Sequence, residues 1–332
     1  MQHLGERLKR FGGLFAVHDL ILLAYYFIVS VLLVVVGPDR ADPNVTRRVY
    51  FCIALLMLGC LIGRGPNGLG PRARSLVYRG SVVYVILDGY LMLAQLLPVI
   101  RADTVDDALL ALDLKLFGFE PAFEMERWTT PAVVEYFAFF YFSYFAICFL
   151  YMVAAIGRPP WGRETSAFAI GTVIVCCLGQ LGYMAVPAYG PIKYMADDFQ
   201  GPLVGGFWWD AVTRTVAAGS AQKDVFPSLH TAMPLWFALH AATRARRSRT
   251  WRVAAIVTGI FSAHIIVSTM LLRWHYLIDV IAGIGLAAFA RWASVKLSAW
   301  EEKTRAGLDA EPVWSFGDPA LNSAPTSPSA LP

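Results

Sequence analysis

Apolar residues in this chain fall in long unbroken blocks rather than alternating or recurring along one helical face. Blocks near residues 14–36, 49–63, 81–100, 131–156, 166–187, 228–243, 251–272 and 274–292 carry almost no charge. A helix needs about 20 such residues to cross the hydrocarbon of a bilayer, because lipid offers no partner for open backbone groups. The pattern predicts an all-α bundle of seven or eight membrane-spanning helices. The doubtful block is the short one at 49–63, which spans only if Arg47, Arg48 and Arg64 snorkel to the two surfaces. The first block is too long for a cleaved leader and has no small-residue cleavage site, so it reads as a retained span.

Two stretches between blocks are too long to be plain connectors. Residues 102–130 mix acidic side chains with Leu109, Leu110, Leu112, Leu114, Leu116 and Phe117, which predicts an amphipathic segment on the outer surface. Residues 188–227 combine Gly-Pro pairs with Phe207, Trp208 and Trp209, the composition either of a headgroup-level lid or of an ordinary aromatic anchor. From about residue 300 the chain turns polar and rich in Pro and Ser, and a disordered tail is expected. The expected division is N-terminal transmembrane helices at 1–79, a membrane domain at 80–299 that holds the chemistry, and the tail at 300–332.

Composition agrees with the pattern. Hydrophobic residues make up 57% of the 332 and charged residues 16%, against about 25% charged in an ordinary soluble domain. A net charge of +4, spread along the chain, gives no nucleic-acid footprint. The five Cys lie inside apolar blocks and are odd in number, so they read as packing residues, with neither a disulfide framework nor metal-ligand spacing. Charge does inform topology. With the N-terminus cytoplasmic, 18 of the 28 Lys and Arg fall on the cytoplasmic side, and the strongest local signal is Arg244, Arg246, Arg247, Arg249 and Arg252 in one short turn. The loop 188–227 and the turn around Arg273 then face the extracytoplasmic side of what is expected to be a bacterial cell membrane.

His230 and His275 begin apolar blocks straight after those two outer connections. Asp279 stands four residues after His275, on the same helical face, where a carboxylate can orient one imidazole nitrogen and leave the other as a base or nucleophile. The segment FPSLH, Phe226 to His230, puts a Pro and Ser228 at a helix start, which can hold a phosphate. Lys193 and Arg273 supply nearby positive charge. Together these predict phosphoryl transfer through a phosphohistidine: His275 attacks phosphorus, and His230 protonates the leaving oxygen and then deprotonates the acceptor. Asp19, Asp88 and Glu135 read as structural pairing, His240 and His264 as core packing, and His18 has no supporting context.

The residues of PSLH, and Ser268 through Asp279 in STMLLRWHYLID, resemble the second and third motifs of the type 2 phosphatidic acid phosphatase (PAP2) superfamily, P-S-G-H and S-R-x5-H-x3-D. The spacing from Ser268 to His275 and Asp279 matches. Leu229 stands in place of the motif Gly, Thr269 in place of the motif Arg, and the first motif, K-x6-R-P, is absent. These departures, with LFGFEP (116–121), the aromatic run 136–145 and PAYGP (187–191), resemble the branch of inositolphosphotransferases that includes fungal inositol phosphorylceramide synthases and sphingomyelin-synthase-like transferases. The resemblance implies a PAP2-like core and a metal-independent enzyme, without cofactor, acting on a phospholipid or lipid phosphate. It places His275 as nucleophile, Asp279 as its orienting acid and His230 as leaving-group acid. Ser228 and Ser268 belong to its phosphate-site motifs, and Lys193 and Arg273 are expected to replace the missing Arg. A lipid-phosphate phosphatase is the alternative within the same chemistry. A proton-coupled transporter is the alternative outside it, disfavoured because no internal repeat is apparent.

Overall fold

The computed structural model describes residues 13–37, 42–157, 162–219 and 222–316. Thirteen α-helices follow in order among these: α1 Val17–Val36, α2 Pro43–Arg64, α3 Pro71–Leu91, α4 Leu93–Ile100, α5 Asp106–Phe117, α6 Pro121–Glu126, α7 Pro131–Gly157, α8 Arg163–Ala185, α9 Pro191–Tyr194, α10 Phe207–Gly219, α11 Leu229–Ala242, α12 Arg249–Leu271 and α13 Leu277–Gly307. Local chemistry sets several of their starts. Asp42, Ser228 and Ser248 accept a backbone N–H from the first turns of α2, α11 and α12, and Pro opens α2, α3 and α6, where no N–H is needed.

Six helices, α1, α2, α7, α8, α12 and α13, are long and apolar enough to cross a membrane. The pair α3 and α4, bent by 48° at its break, passes the same test when taken together and makes a seventh if it is one broken span rather than a re-entrant loop. The block at 49–63 is no longer doubtful, because its helix extends back to Pro43 and forms a full-length span. The shortfall lies at α11, expected as a span over 228–243 and only 14 residues long. Ten of those residues are buried, packed against α8, α12 and α13. A helix sheathed by protein has no need of a bilayer's length of apolar surface.

Chain parity supports this count. Val17 N–H donates to Glu301 at 2.6 Å, so α1 begins and α13 finishes at the same end of the bundle. Two ends on one side require an even number of passes through the bundle, which the long helices and the buried α11 together can supply. That end also holds a buried polar cluster in which Arg64 pairs with Asp19 at 2.6 Å, and Tyr78 Oη donates to Asp19 at 2.6 Å. His18, which the sequence left without a role, stacks on Trp314 with ring centroids 5.3 Å apart. Residues 300–316 of the expected disordered tail are instead helix and packed turn, with Val313, Trp314 and Phe316 buried; 317–332 lie outside the described residues. Arg244 and Arg247, from the basic turn, pair with Glu164 at this same end.

The outer-surface segment is amphipathic in the opposite sense from its simplest reading. In α5 the leucines at 112, 114 and 116 are exposed, while Asp106 and Asp113 are fully buried. The two acids are seven residues apart, hence two turns apart on one face. Glu135, at the start of α7, accepts backbone N–H groups of Gly206, Trp208 and Trp209 and so anchors the start of α10. Asp88 pairs with Arg48 at 2.6 Å, and all five Cys are free thiols.

Candidate active site

Three short segments meet at the bundle end opposite the basic turn: PAYGP, FPSLH and the turn 272–276 between α12 and α13. Backbone contacts join them. Ile192 N–H donates to Arg273 O at 2.6 Å, and Ser228 N–H to Asp279 O at 3.0 Å. Gly190 has φ +78°, and a Cβ there would lie 2.3 Å from Trp274 O, so both the turn and the close approach demand glycine. Gly283, one turn beyond Asp279, lets α13 approach the start of α11, since a Cβ would sit 2.5 Å from Ser228 O.

This joining brings His230 and His275 into the wall of one cavity of about 310 Å³ with their ring centroids 6.4 Å apart. His230 is held between Tyr141 and Tyr144, with centroids 4.3 and 4.1 Å away. These tyrosines are three apart on α7 and so share a face. His275 Nδ1 lies 3.5 Å from Asp279 Oδ2, and that oxygen also accepts Tyr276 N–H at 2.9 Å. His275 Nδ1 and the other carboxyl oxygen, Asp279 Oδ1, are both buried without a hydrogen-bond partner among the described residues. Burial lowers the His275 imidazole to about 4, with the Asp224 carboxylate and the Val225 carbonyl pulling the other way. The ring is therefore neutral at physiological pH.

The remaining candidates divide. Lys193 lines the cavity; its Nζ sits 3.8 Å over the Tyr189 ring and 3.4 Å from Gln222 Oε1. Arg273 does not reach the cavity. Its guanidinium donates to Glu126 Oε1 at 3.0 Å and Gly201 O at 2.8 Å, and lies over the Phe199 ring. Of the two cations expected to replace the motif Arg, Lys193 stands in the cavity wall and Arg273 is paired with Glu126 from α6. Ser228 and Ser268 are fully buried. Ser228 Oγ caps α11 by accepting Thr231 N–H at 3.2 Å, and Ser268 Oγ donates to Ile265 O at 2.7 Å. Both hold the backbone that carries the histidines.

Several wall residues had not been singled out from the sequence. Asp224 accepts from Tyr90 Oη at 3.1 Å, and the wall also includes Tyr183 and Trp274. The available signals were an acid four residues before Ser228 and the spacing of Tyr141 and Tyr144.

The bundle end thus brings His230 and His275 into one cavity wall, with Asp279 behind His275. The family model of the PAP2 superfamily matches residues 107–293, more than half of the chain, and the chain belongs to that superfamily. Members of that superfamily are in general phosphatases or phosphotransferases. No curated protein and no solved structure matches the chain.

Proposed function

We propose that this protein is a lipid phosphotransferase that moves a phospho-headgroup from a lipid donor to an alcohol acceptor through a phosphohistidine on His275. The observation that carries the reading is the pair of histidines 6.4 Å apart in one cavity wall, with Asp279 behind one of them. A reacting group needs a heavy-atom distance of about 3 Å to each partner, so the two rings can flank one phosphoryl group. Asp279 takes the Nδ1 proton side of His275, and Nε2 attacks phosphorus as the bond to the leaving oxygen breaks. Imidazolium His230 gives that oxygen its proton. Neutral His230 then takes a proton from the acceptor hydroxyl, whose oxygen attacks phosphorus and frees His275. Lys193 neutralises a non-bridging phosphate oxygen. With water as acceptor the same steps make a phosphatase.

The test is incubation of purified protein, in EDTA, with phosphatidate, phosphatidylinositol or a polyprenyl phosphate labelled in the phosphate, together with alcohol acceptors. Label should appear in a new lipid, and Lys193→Met should raise KM. Free phosphate as the sole product would select the phosphatase, and loss of all activity in EDTA would reject the mechanism. The basic turn at the opposite end supports an extracytoplasmic site, because Lys and Arg concentrate on the cytoplasmic side. A cysteine at position 205, in a variant without native Cys, should react with an impermeant thiol reagent in intact cells. Protection there, with labelling at 247, would reverse the topology.

A further inference from the structure

We propose that Asp113 and Glu120 form a proton-sharing carboxyl pair that positions His275 and Asp279, with neutral Glu120 donating its O–H to the Asp113 carboxylate. The inference rests on the phosphotransfer reading above. Its geometry begins with Asp113, whose two oxygens accept Leu277 N–H at 2.6 Å and Ile278 N–H at 2.9 Å. Those are the first two residues of α13, between His275 and Asp279. A residue 164 positions away in sequence thus fixes the start of the helix that carries the orienting acid.

Glu120 caps α6 by accepting Ala122 N–H with Oε1 at 3.2 Å. Its carboxyl is also within hydrogen-bonding reach of Asp113, and both are buried. Two carboxyl groups can share a hydrogen bond only through a proton, because two carboxylates both accept and repel. Burial pushes Glu120 well above the usual carboxylate range, with the neighbouring Asp113 and Asp279 charges adding to it, and burial also raises Asp113. Geometry puts the proton on Glu120: both Asp113 oxygens already accept backbone N–H groups, whereas Glu120 Oε2 is buried with no donor among the described residues and is free to carry an O–H.

The other groups facing this pair are acidic or phenolic. Asp279 stands in the first turn of α13. Asp106, one α5 face-repeat before Asp113, accepts Tyr189 and Gly190 N–H and Tyr276 Oη. Helix α5 thus holds both the loop leading to Lys193 and the turn carrying His275. With Glu120 held above the usual carboxylate range by burial, the shared proton keeps the pair closed at neutral pH. At alkaline pH Glu120 ionises beside Asp113 and Asp279, the acids repel, and the hold on Leu277 and Ile278 loosens. The consequence is an alkaline fall in kcat that originates outside the reacting groups.

The experiment compares wild type with Glu120→Gln, which keeps an N–H donor for Asp113 and has no proton to lose. Infrared spectra at neutral pH should show a buried protonated carboxyl in wild type that is missing from Glu120→Gln. This arm needs no turnover, so it decides the proton even if the phosphotransfer reading fails. In the activity arm, each profile normalised to its own plateau, the alkaline fall in kcat should flatten in Glu120→Gln. Asp113→Asn should lower kcat at least tenfold with KM within threefold. An unchanged carboxyl band, or an unchanged alkaline limb in folded Glu120→Gln, would overturn the proposal. If Asp113→Asn does not fold, the two Glu120 readouts still decide it.

Discussion

His275→Ala is expected to remove turnover by at least about 10³-fold while leaving the bundle folded, since it deletes the attacking atom. The ring's contacts favour this separation of chemistry from stability. His275 is held by a turn whose backbone bonds, Trp274 and His275 N–H to Thr269 O at 2.9 and 3.1 Å, do not involve its side chain. Low basicity makes the wild-type ring a free nucleophile from about pH 4 upward, so protonation of His275 should not limit activity near neutrality. A rapid quench with labelled donor should find an acid-labile, base-stable adduct on His275. Normal turnover in His275→Ala, or label on another residue, would end the phosphohistidine proposal.

His230→Ala should lower turnover by about 10²–10⁴-fold with an alkyl lipid donor, the range expected for losing a general acid. The loss should shrink sharply with an aryl phosphate whose leaving oxygen departs without a proton. Because His230 fills the space between Tyr141 and Tyr144, its removal also leaves a gap. His230→Gln, which refills part of it, controls for collapse of that wall. Equal losses with both donors in both variants would assign His230 to packing instead of proton transfer.

Long spans were legible because lipid imposes one requirement along many consecutive residues. The histidine pair was legible because i, i+4 spacing and motif spacing are local. The fate of Arg273 was not, because its partner Glu126 lies 147 residues away and a free cation looks the same as a paired one in sequence. Helix α5 misled for a related reason. Acids beside leucines suggest a polar face toward water, whereas Asp106 and Asp113 are satisfied by backbone N–H groups of distant loops and turn inward. His18 and Trp314 are read from opposite ends of the chain, and their contact has no local signature.

The clasp between the first and last spans bears on what the smallest working unit can be. Residues 107–293 carry the family signature, yet Glu301 receives Val17 N–H, Gln180 receives Tyr25 Oη at 2.6 Å, and Arg305 donates to Gly13 O at 2.9 Å and Phe15 O at 3.2 Å. A chain trimmed back to the signature would lose Glu301 and Arg305 altogether and strand Gln180 against hydrocarbon, a cost that no remaining helix offsets. Bundle closure therefore draws on residues well outside the signature, from Gly13 ahead of α1 to Arg305 in the last turn of α13.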